Sequence, residues 1–341
     1  MNDDNQQSAP SQPGSNAPGI SGLVSYMVES AESSLYRNGK VLTQRDHDGS
    51  DGGDEGVDTV ELRIAIGDAR ALDSEDRRTI DVHGFELLDR PLRRANLNFY
   101  DHQQVVRDYY PECAAALGDV TGAAHVFAFD HNIRSTAGKE SQRQIAGGQQ
   151  VQGPAHLVHG DYTLTSAPQR LHNLAEPPSG NDTVRAILPE GEALIEQAVV
   201  DRAVAENRRF AIINIWRNID DRPVESNALT LCDGQTVDPD ELIVFEIHYA
   251  DRIGENYFAK FAPRHGWWWY PAMTRDEALL IKQWDSHGEL ARSGGTRSDA
   301  SVGDGQAPCT FSFHTAFKDM AAPSDARDRE SIEVRCMVLY D

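Results

Sequence analysis

Leu157-Val158-His159-Gly160-Asp161-Tyr162-Thr163 is the stretch on which the reading of this chain turns. Side chains alternate between faces along a β-strand. His159 and Asp161 therefore point the same way, and Gly160 leaves the backbone between them uncrowded. An imidazole and a carboxylate so placed supply two of the three ligands of a 2-His-1-carboxylate site for non-heme iron. The pair alone is a weak signal, because a site needs a second imidazole from elsewhere. His314 is the best candidate for it, within Thr310-Phe311-Ser312-Phe313-His314-Thr315-Ala316-Phe317, which also reads as a strand.

Working outward, the chain is a succession of strands. Phe210-Ala211-Ile212-Ile213-Asn214-Ile215-Trp216-Arg217 is the clearest, with Phe210, Ile212, Asn214 and Trp216 on one face. Thr59–Ile66, Ile80–Leu88, Ala124–His131, Leu242–Tyr249 and Asn256–Phe261 have the same character. The last strand runs from Arg329 to Leu339. Arg329, Ser331, Glu333 and Arg335 share one of its faces, and Ile332, Val334, Cys336 and Val338 the other. A polar face suits solvent, or else it lines a barrel where Arg and Ser can grip a carboxylate through a geometrically fixed, charge-assisted pair.

Three helices are expected. Asp101 caps one from His102 through Tyr110, with Gln104 at the capping-box position. Glu190–Val204 has an amphipathic pattern, and Thr274 with Glu277 forms a capping box for a helix through Trp284. Many strands, few helices and no βαβ alternation predict a mainly β (α+β) fold, an antiparallel sandwich or barrel.

Composition narrows the function. Of 341 residues, 32 are basic and 54 acidic, giving a net charge of −22. Such a surface repels phosphate backbones and anionic lipid, so nucleic acid and membrane are excluded as partners. No apolar run approaches the roughly 20 residues of a membrane span. Cys113, Cys232, Cys309 and Cys336 form no C-x-x-C pair and read as core thiols of a cytoplasmic protein. Residues 1–19 read as a disordered leader. The acidic run 46–55 misplaces the glycine of a calcium loop and is expected to be a plain acidic loop, within 45–58. Polar, Gly-rich insertions at 135–154 and 286–308 are expected as loops, the first placed to cover the site. The remainder, 20–341, is expected to form a single domain with an N-terminal α/β extension over about 20–120.

A distal His after His-x-Asp, followed by Arg-x-Ser, is the arrangement of 2-oxoglutarate-dependent oxygenases built on a double-stranded β-helix. The chain resembles more closely the fungal and bacterial hydroxylase/desaturase family that includes gibberellin desaturase-type enzymes, the aspergillic-acid-type hydroxylase and cephem-methoxylase-related proteins. The resemblance rests on Asp68-Ala69-Arg70, Thr121-Gly122-Ala123, Val126–Arg134, Val158–Thr163, Ile212–Arg217, Ala228–Asp233, Asp276–Lys282, His314–Phe317 and Arg329–Arg335, in the family's order from about residue 60 to the C-terminus. It implies a cupin-like jelly roll with flanking helices, using Fe(II), 2-oxoglutarate and O2 to hydroxylate or desaturate a small molecule, as in secondary metabolism. It implies His159, Asp161 and His314 as metal ligands, with Arg329 and Ser331 on the far carboxylate of the cosubstrate. Gly160, where the family has a larger residue, and Asn218, where it has Pro, are departures.

Several roles stay open at this point. Arg335 and Arg217 rival Arg329 as the carboxylate anchor. Asn214 either donates to the cosubstrate or satisfies a group in the core. His131 and Arg134 either contact substrate or pair with Asp130, and Tyr162 and Trp216 are either core or substrate platform. A non-redox cupin enzyme using another metal, or a non-catalytic subunit of a two-component system, would fit the same strands, and a homodimer is allowed.

Overall fold

Apolar residues on both faces of most strands dictate burial on both sides, and the chain satisfies this with two facing sheets and a helical cover. The computed structural model describes residues 19–45, 51–141, 143, 145–146, 150–178, 182–249, 252–302 and 307–341. Strands are numbered along the chain. The smaller sheet is antiparallel throughout, in the order β5 (Phe85–Asp89), β13 (Glu277–Asp285), β8 (Phe210–Asn218), β16 (Ser331–Leu339), β6 (His125–Arg134). The larger sheet runs β15 (Lys318–Asp319), β1 (Gly19–Met27), β4 (Thr59–Asp68), β12 (Trp267–Trp269), β9 (Leu229–Cys232), β14 (His314–Ala316), β7 (His159–Gly160), β11 (Ile253–Ala259), β10 (Leu242–His248), β2 (Leu42–Arg45), β3 (Asp51–Glu55). Only its β4–β12 and β2–β10 pairs are parallel. This is the mainly β, two-sheet jelly roll that the strand pattern and the resemblance led us to expect.

The sheets close on each other through side chains. Trp216, Leu279, Ile281 and Phe85 of the smaller sheet cluster with Leu231 and Trp268 of the larger. Trp284 of β13 stacks on Phe311, with ring centroids 6.4 Å apart. On the other side of the smaller sheet lies the helix Tyr110–Thr121, packed on β6 and β16. That helix continues a turn begun at His102–Gln104 through a π-helical segment, Val105–Tyr109. The predicted cap is present, with the Asp101 carboxylate accepting from Gln104 N at 3.2 Å. Pro111 falls in the first turn of the α-helical part, where a missing N–H is least costly.

Several expectations are corrected. Glu277–Asp285 is a strand, not the helix read from Thr274 to Trp284. The capping contact is nonetheless made, with Thr274 N donating to Glu277 Oε2 at 2.8 Å, and it closes a turn into β13. A run buried on both faces carries no period-2 signal and cannot be told from a buried helix by pattern alone. The acidic residues Asp51–Glu55, expected in a loop, form β3 against β2, whereas residues 46–50 lie outside the described residues. Gly19 begins β1 and does not belong to a leader, whose residues 1–18 are also outside the description. Within the N-terminal extension expected over about 20–120, β1 and β4 are strands of the larger sheet and the helix Tyr110–Thr121 packs on the smaller. The helix predicted from Glu190 begins at Gln197, and that predicted over Ile80–Leu88 as a strand is regular only over Phe85–Asp89.

β13 also carries a buried charge. Lys282 and Asp285 are both fully buried and pair at 2.9 Å, and Arg209 reaches the same carboxylate at 2.7 Å. Removing one member of such a pair strands the other charge in a poorly solvated place. Asp285→Asn is expected to lower unfolding stability by about 3–5 kcal/mol, measured as a shift of the urea midpoint at unchanged slope.

Candidate metal centre

The two imidazoles meet because of strand register. β7 and β14 are antiparallel neighbours, and His314 pairs directly with His159. Their rings stand 4.4 Å apart, centroid to centroid. Asp161 follows β7 on the same face. Ligand atoms of His159, Asp161 and His314 all lie within 4.8 Å of one another, and all three residues are buried. Gly160 has a reason to be small. A Cβ there would stand 3.3 Å from the ring of Phe311, so that aromatic fills the space a larger residue would take.

Protonation suits metal binding. His159 Nδ1 lies 2.7 Å from the Leu157 carbonyl, which can only accept, so Nδ1 carries the proton and Nε2 is left with its lone pair. Burial, with His314 alongside, lowers His159 to about 4, and burial also lowers His314. Burial alone would raise Asp161, but Arg335 and then the two histidines more than reverse it, so the carboxyl is held well below its ordinary range. Two neutral imidazoles and one carboxylate are the donor set of a 2-His-1-carboxylate site.

The carboxylate is held from one side. Asn214 Nδ2 donates to Asp161 Oδ2 at 3.0 Å, and Arg335 Nε to the same oxygen at 3.3 Å. The backbone N–H of Asp161 donates to Gln283 Oε1 at 3.0 Å. Oδ1 is left on the side of His159, 3.7 Å from its Nε2. Asn214 thus reaches a metal-ligand candidate, and Arg335 is occupied by Asp161 and by Asp130 at 3.0 Å. Gln283 escaped the sequence reading because it fell in a predicted helix. As strand, its alternation with Leu279 and Ile281 would have turned it inward.

Farther along β16, the polar face points into the interior. Arg329 is 2% exposed, and its Nη1 donates to the Asn227 carbonyl, while Nε and Nη2 meet no partner. Its guanidinium lies over the Trp216 ring, 5.6 Å from the centroid. The buried hydroxyl of Ser331 is also unpartnered, and Arg134 stands directly opposite Ser331 in the ladder. Burial, with Arg134 nearby, pushes Arg329 down to about 9. Two buried guanidinium donors and a hydroxyl without acceptors are costly unless an anion meets them.

Other residues singled out in the sequence lie elsewhere. Arg217 is on the opposite face of β8, donating from Nε to Tyr109 OH at 2.9 Å and from Nη1 to the carbonyls of Arg90 and Arg275 at 2.9 and 2.6 Å. It fastens the helical cover to the sheet and is removed from the cavity. His131 is under the same cover, its Nδ1 2.9 Å from Tyr110 OH and its ring stacked on His102. The ion pair considered for Asp130 with His131 or Arg134 is made with Arg335 instead. Arg134 donates to the Gly153 carbonyl at 2.9 Å. Tyr162 is half-buried, packed against the main core, and burial pushes it up to about 12. Asn218 uses the amide that Pro would lack, donating to the Arg222 and Met273 carbonyls at 2.6 and 3.2 Å.

Two stretches, residues 24–187 and 175–339, match the family described as oxidoreductase/YMDC permease-like domain. No helix among the described residues is long and apolar enough to cross a membrane. An uncharacterized protein in the dcmA 3' region of Methylophilus leisingeri is 47% identical over 197 residues, 58% of this chain and 89% of that protein. The Fe(II)/2-oxoglutarate-dependent dioxygenase nvfI of Aspergillus novofumigatus is 28% identical over 281 residues, 81% of this chain and 82% of its own. The hydroxylase/desaturase CTB9 of Cercospora beticola is 28% identical over 319 residues, 86% and 84% of the two chains. The solved structure of the iron and alpha-ketoglutarate-dependent endoperoxidase NvfI shares the fold, with a TM-score of 0.68 at 22% identity, covering 94% of this chain and 98% of that one.

The covered histidine gives a pH test that is independent of metal. Burial lowers His131 from 6.5 to about 4, although Asp130 pulls it upward. The unfolded chain therefore binds the proton more tightly, so His131's contribution is complete above about 6.5 and is lost as pH falls towards 4. Denaturant titrations between pH 7 and pH 4.5 are expected to show stability falling, with a shallower fall in His131→Asn.

Proposed function

We propose, from the premise that this chain belongs to the oxidoreductase/YMDC permease-like domain family, that it is an Fe(II)- and 2-oxoglutarate-dependent oxygenase that hydroxylates or desaturates a small molecule. The names of its relatives support the activity. The observation that carries the assignment of residues is the buried pair Arg329 and Ser331, left with unanswered donors in the same interior as the triad. A non-redox cupin enzyme would have use for the triad but none for this anion-seeking pair.

In this reading His159, Asp161 and His314 hold Fe(II), and the donor set fits it. Arg329, with Ser331 beside it, takes the far carboxylate of 2-oxoglutarate, and the fixed fork of the guanidinium sets the cosubstrate's orientation. Arg134 adds positive potential at that end. With dioxygen as the oxidant, bound Fe(II) and 2-oxoglutarate would supply the chemistry for oxidising a C–H bond, one oxygen atom going into succinate as the cosubstrate loses carbon dioxide and the other serving the substrate's oxidation. The chain's own work is to bind, orient and exclude water. Asn214, Arg335 and Gln283 hold Asp161 in place, Trp216 lies under the Arg329 guanidinium, and Gly160 keeps the strand close to Phe311 on the face away from the ligands. In this reading Tyr162 and Arg134 are candidate substrate contacts.

The acidic exterior, net −22, supports a small-molecule partner over nucleic acid. Four buried, free cysteines support a reducing compartment such as cytoplasm. The substrate class we infer is a secondary metabolite.

The test is release of succinate from 2-oxoglutarate under air with added Fe(II) and a metabolite panel. His314→Ala and Asp161→Ala are each expected to abolish it, and wild-type-like release in either variant would refute the triad. Arg329→Met is expected to raise the KM for 2-oxoglutarate by about 10–100-fold, the range for losing a hydrogen-bonded charge, while metal binding stays intact. A rise of that size in Arg217→Met, with none in Arg329→Met, would show that Arg329 is not the anchor.

A further inference from the structure

One row of side chains crosses the smaller sheet towards the candidate metal centre. Arg335 on β16 is paired in register with Asp130 on β6 on one side and with Asn214 on β8 on the other. Arg335 and Asn214 both donate to Asp161 Oδ2. Asp130 does not touch Asp161; it holds the far end of the guanidinium, accepting from Arg335 Nη1 at Oδ2, 3.0 Å. Its other oxygen, Oδ1, accepts from the Thr183 hydroxyl at 3.1 Å, on a short helical segment outside the sheet. The ladder between β6 and β16 slips just past this pair, between Arg335 and Cys336. Such bulges re-aim side chains beside functional sites.

We propose that Asp130 is a positioning residue for the metal centre: by pinning the Arg335 fork it keeps Asp161 Oδ2 occupied, so that Asp161 offers a single oxygen to the ion. The proposal rests on the reading of His159, Asp161 and His314 as metal ligands. A guanidinium is rigid and planar, so fixing one nitrogen fixes the direction of the others. With Asp130 in place, Nη1 is taken and Nε is aimed at Asp161. Without it, Nη1 and Nη2 keep the Asn132 side-chain oxygen, 3.1 and 3.0 Å away, and Glu333, 3.7 Å from Nη2, draws the group away from Asp161. Asp161 Oδ2 then keeps the Asn214 amide but loses its charged partner, and is freer to reach the metal as a second ligand atom. Partners one step removed from a ligand tune affinity in this way.

The experiment titrates the metal-free full chain with Co(II) under nitrogen, reading both the dissociation constant and the visible absorption band. Wild type is expected to take up one Co(II). Asp130→Asn and Asp130→Ala are expected to raise the dissociation constant by about 10–100-fold and to change the band's shape as carboxylate ligation changes. Arg335→Lys, which keeps the charge and loses the fork, is expected to resemble Asp130→Ala. Lower melting temperatures with unchanged Co(II) affinity and spectrum would make Asp130 a structural residue only and overturn the proposal. Should Asp130→Ala fail to fold, Thr183→Val frees Oδ1, together with the Phe129 carbonyl and the Tyr110 hydroxyl that the Thr183 hydroxyl also meets, while leaving the bond from Arg335 to Oδ2. It is expected to weaken Co(II) binding about threefold, and no change there also overturns the proposal. Wild type that takes up no Co(II) would sink the metal-centre reading itself, whereas wild-type uptake with indifferent variants would sink only the role of Asp130.

Discussion

The pairing of one residue in β7 with one in β14 is the constraint on which the candidate centre depends. His159 and His314 face each other across a single rung of the larger sheet. Because side chains alternate with period two, a slip of one residue would turn His314 to the opposite face and dissolve the cluster. Neighbours on both sides hold the register. β14 is also paired with β9 through His314, Thr315 and Ala316, and β7 with β11 through His159 and Gly160. Two very short strands are thus fixed by being internal to an eleven-stranded sheet, with no edge along which to slide.

Positive charge gathers locally at one place in an otherwise acidic molecule. The chain as a whole is strongly acidic, yet its interior holds Arg134, Arg329 and Arg335 along one end of the barrel. Arg335 has carboxylates enough: Asp161, Asp130 and Glu333 hold it well above its ordinary value despite burial. Arg329 has too few, and burial with Arg134 nearby lowers it. Adjacent arginines on one sheet face therefore have different tasks. Arg335 is saturated and holds the Asp161 carboxylate; Arg329 is unsaturated, and in the proposed reading it is the one that takes an incoming carboxylate.

How much of this was legible in the sequence varies by residue. The alternation around His159 and Asp161 put both on one face, and the polar face of Arg329–Arg335 does point inward. Asn214, an amide among bulky apolar neighbours, was conspicuous for the same reason. The choice among three arginines was not legible. Arg217 sits one residue from Trp216 and its outward direction follows from strand alternation, but which face of β8 looks inward is decided only when the helix Tyr110–Thr121 covers the other. Gln283 was hidden because the Thr274–Glu277 contact that opens a helix in many proteins here closes a turn into a strand. Local hydrogen bonding is the same in both outcomes, and the surrounding sheet selects between them.

By itself, then, the order of residues determined many of the strands with a buried face, which donor atoms exist, and that two imidazoles and an aspartate of the right kind occur on strand-forming stretches. Those are properties of local backbone sterics and side-chain chemistry. Tertiary structure alone decided that His159 and His314 share a rung, that Arg335 is spent on Asp130 and Asp161 while Arg329 is not, and that Glu277–Asp285 extends and does not coil. Each of these depends on partners remote in the chain, and strand pairing, unlike a helical turn, takes its hydrogen bonds from whichever segment the rest of the fold brings alongside.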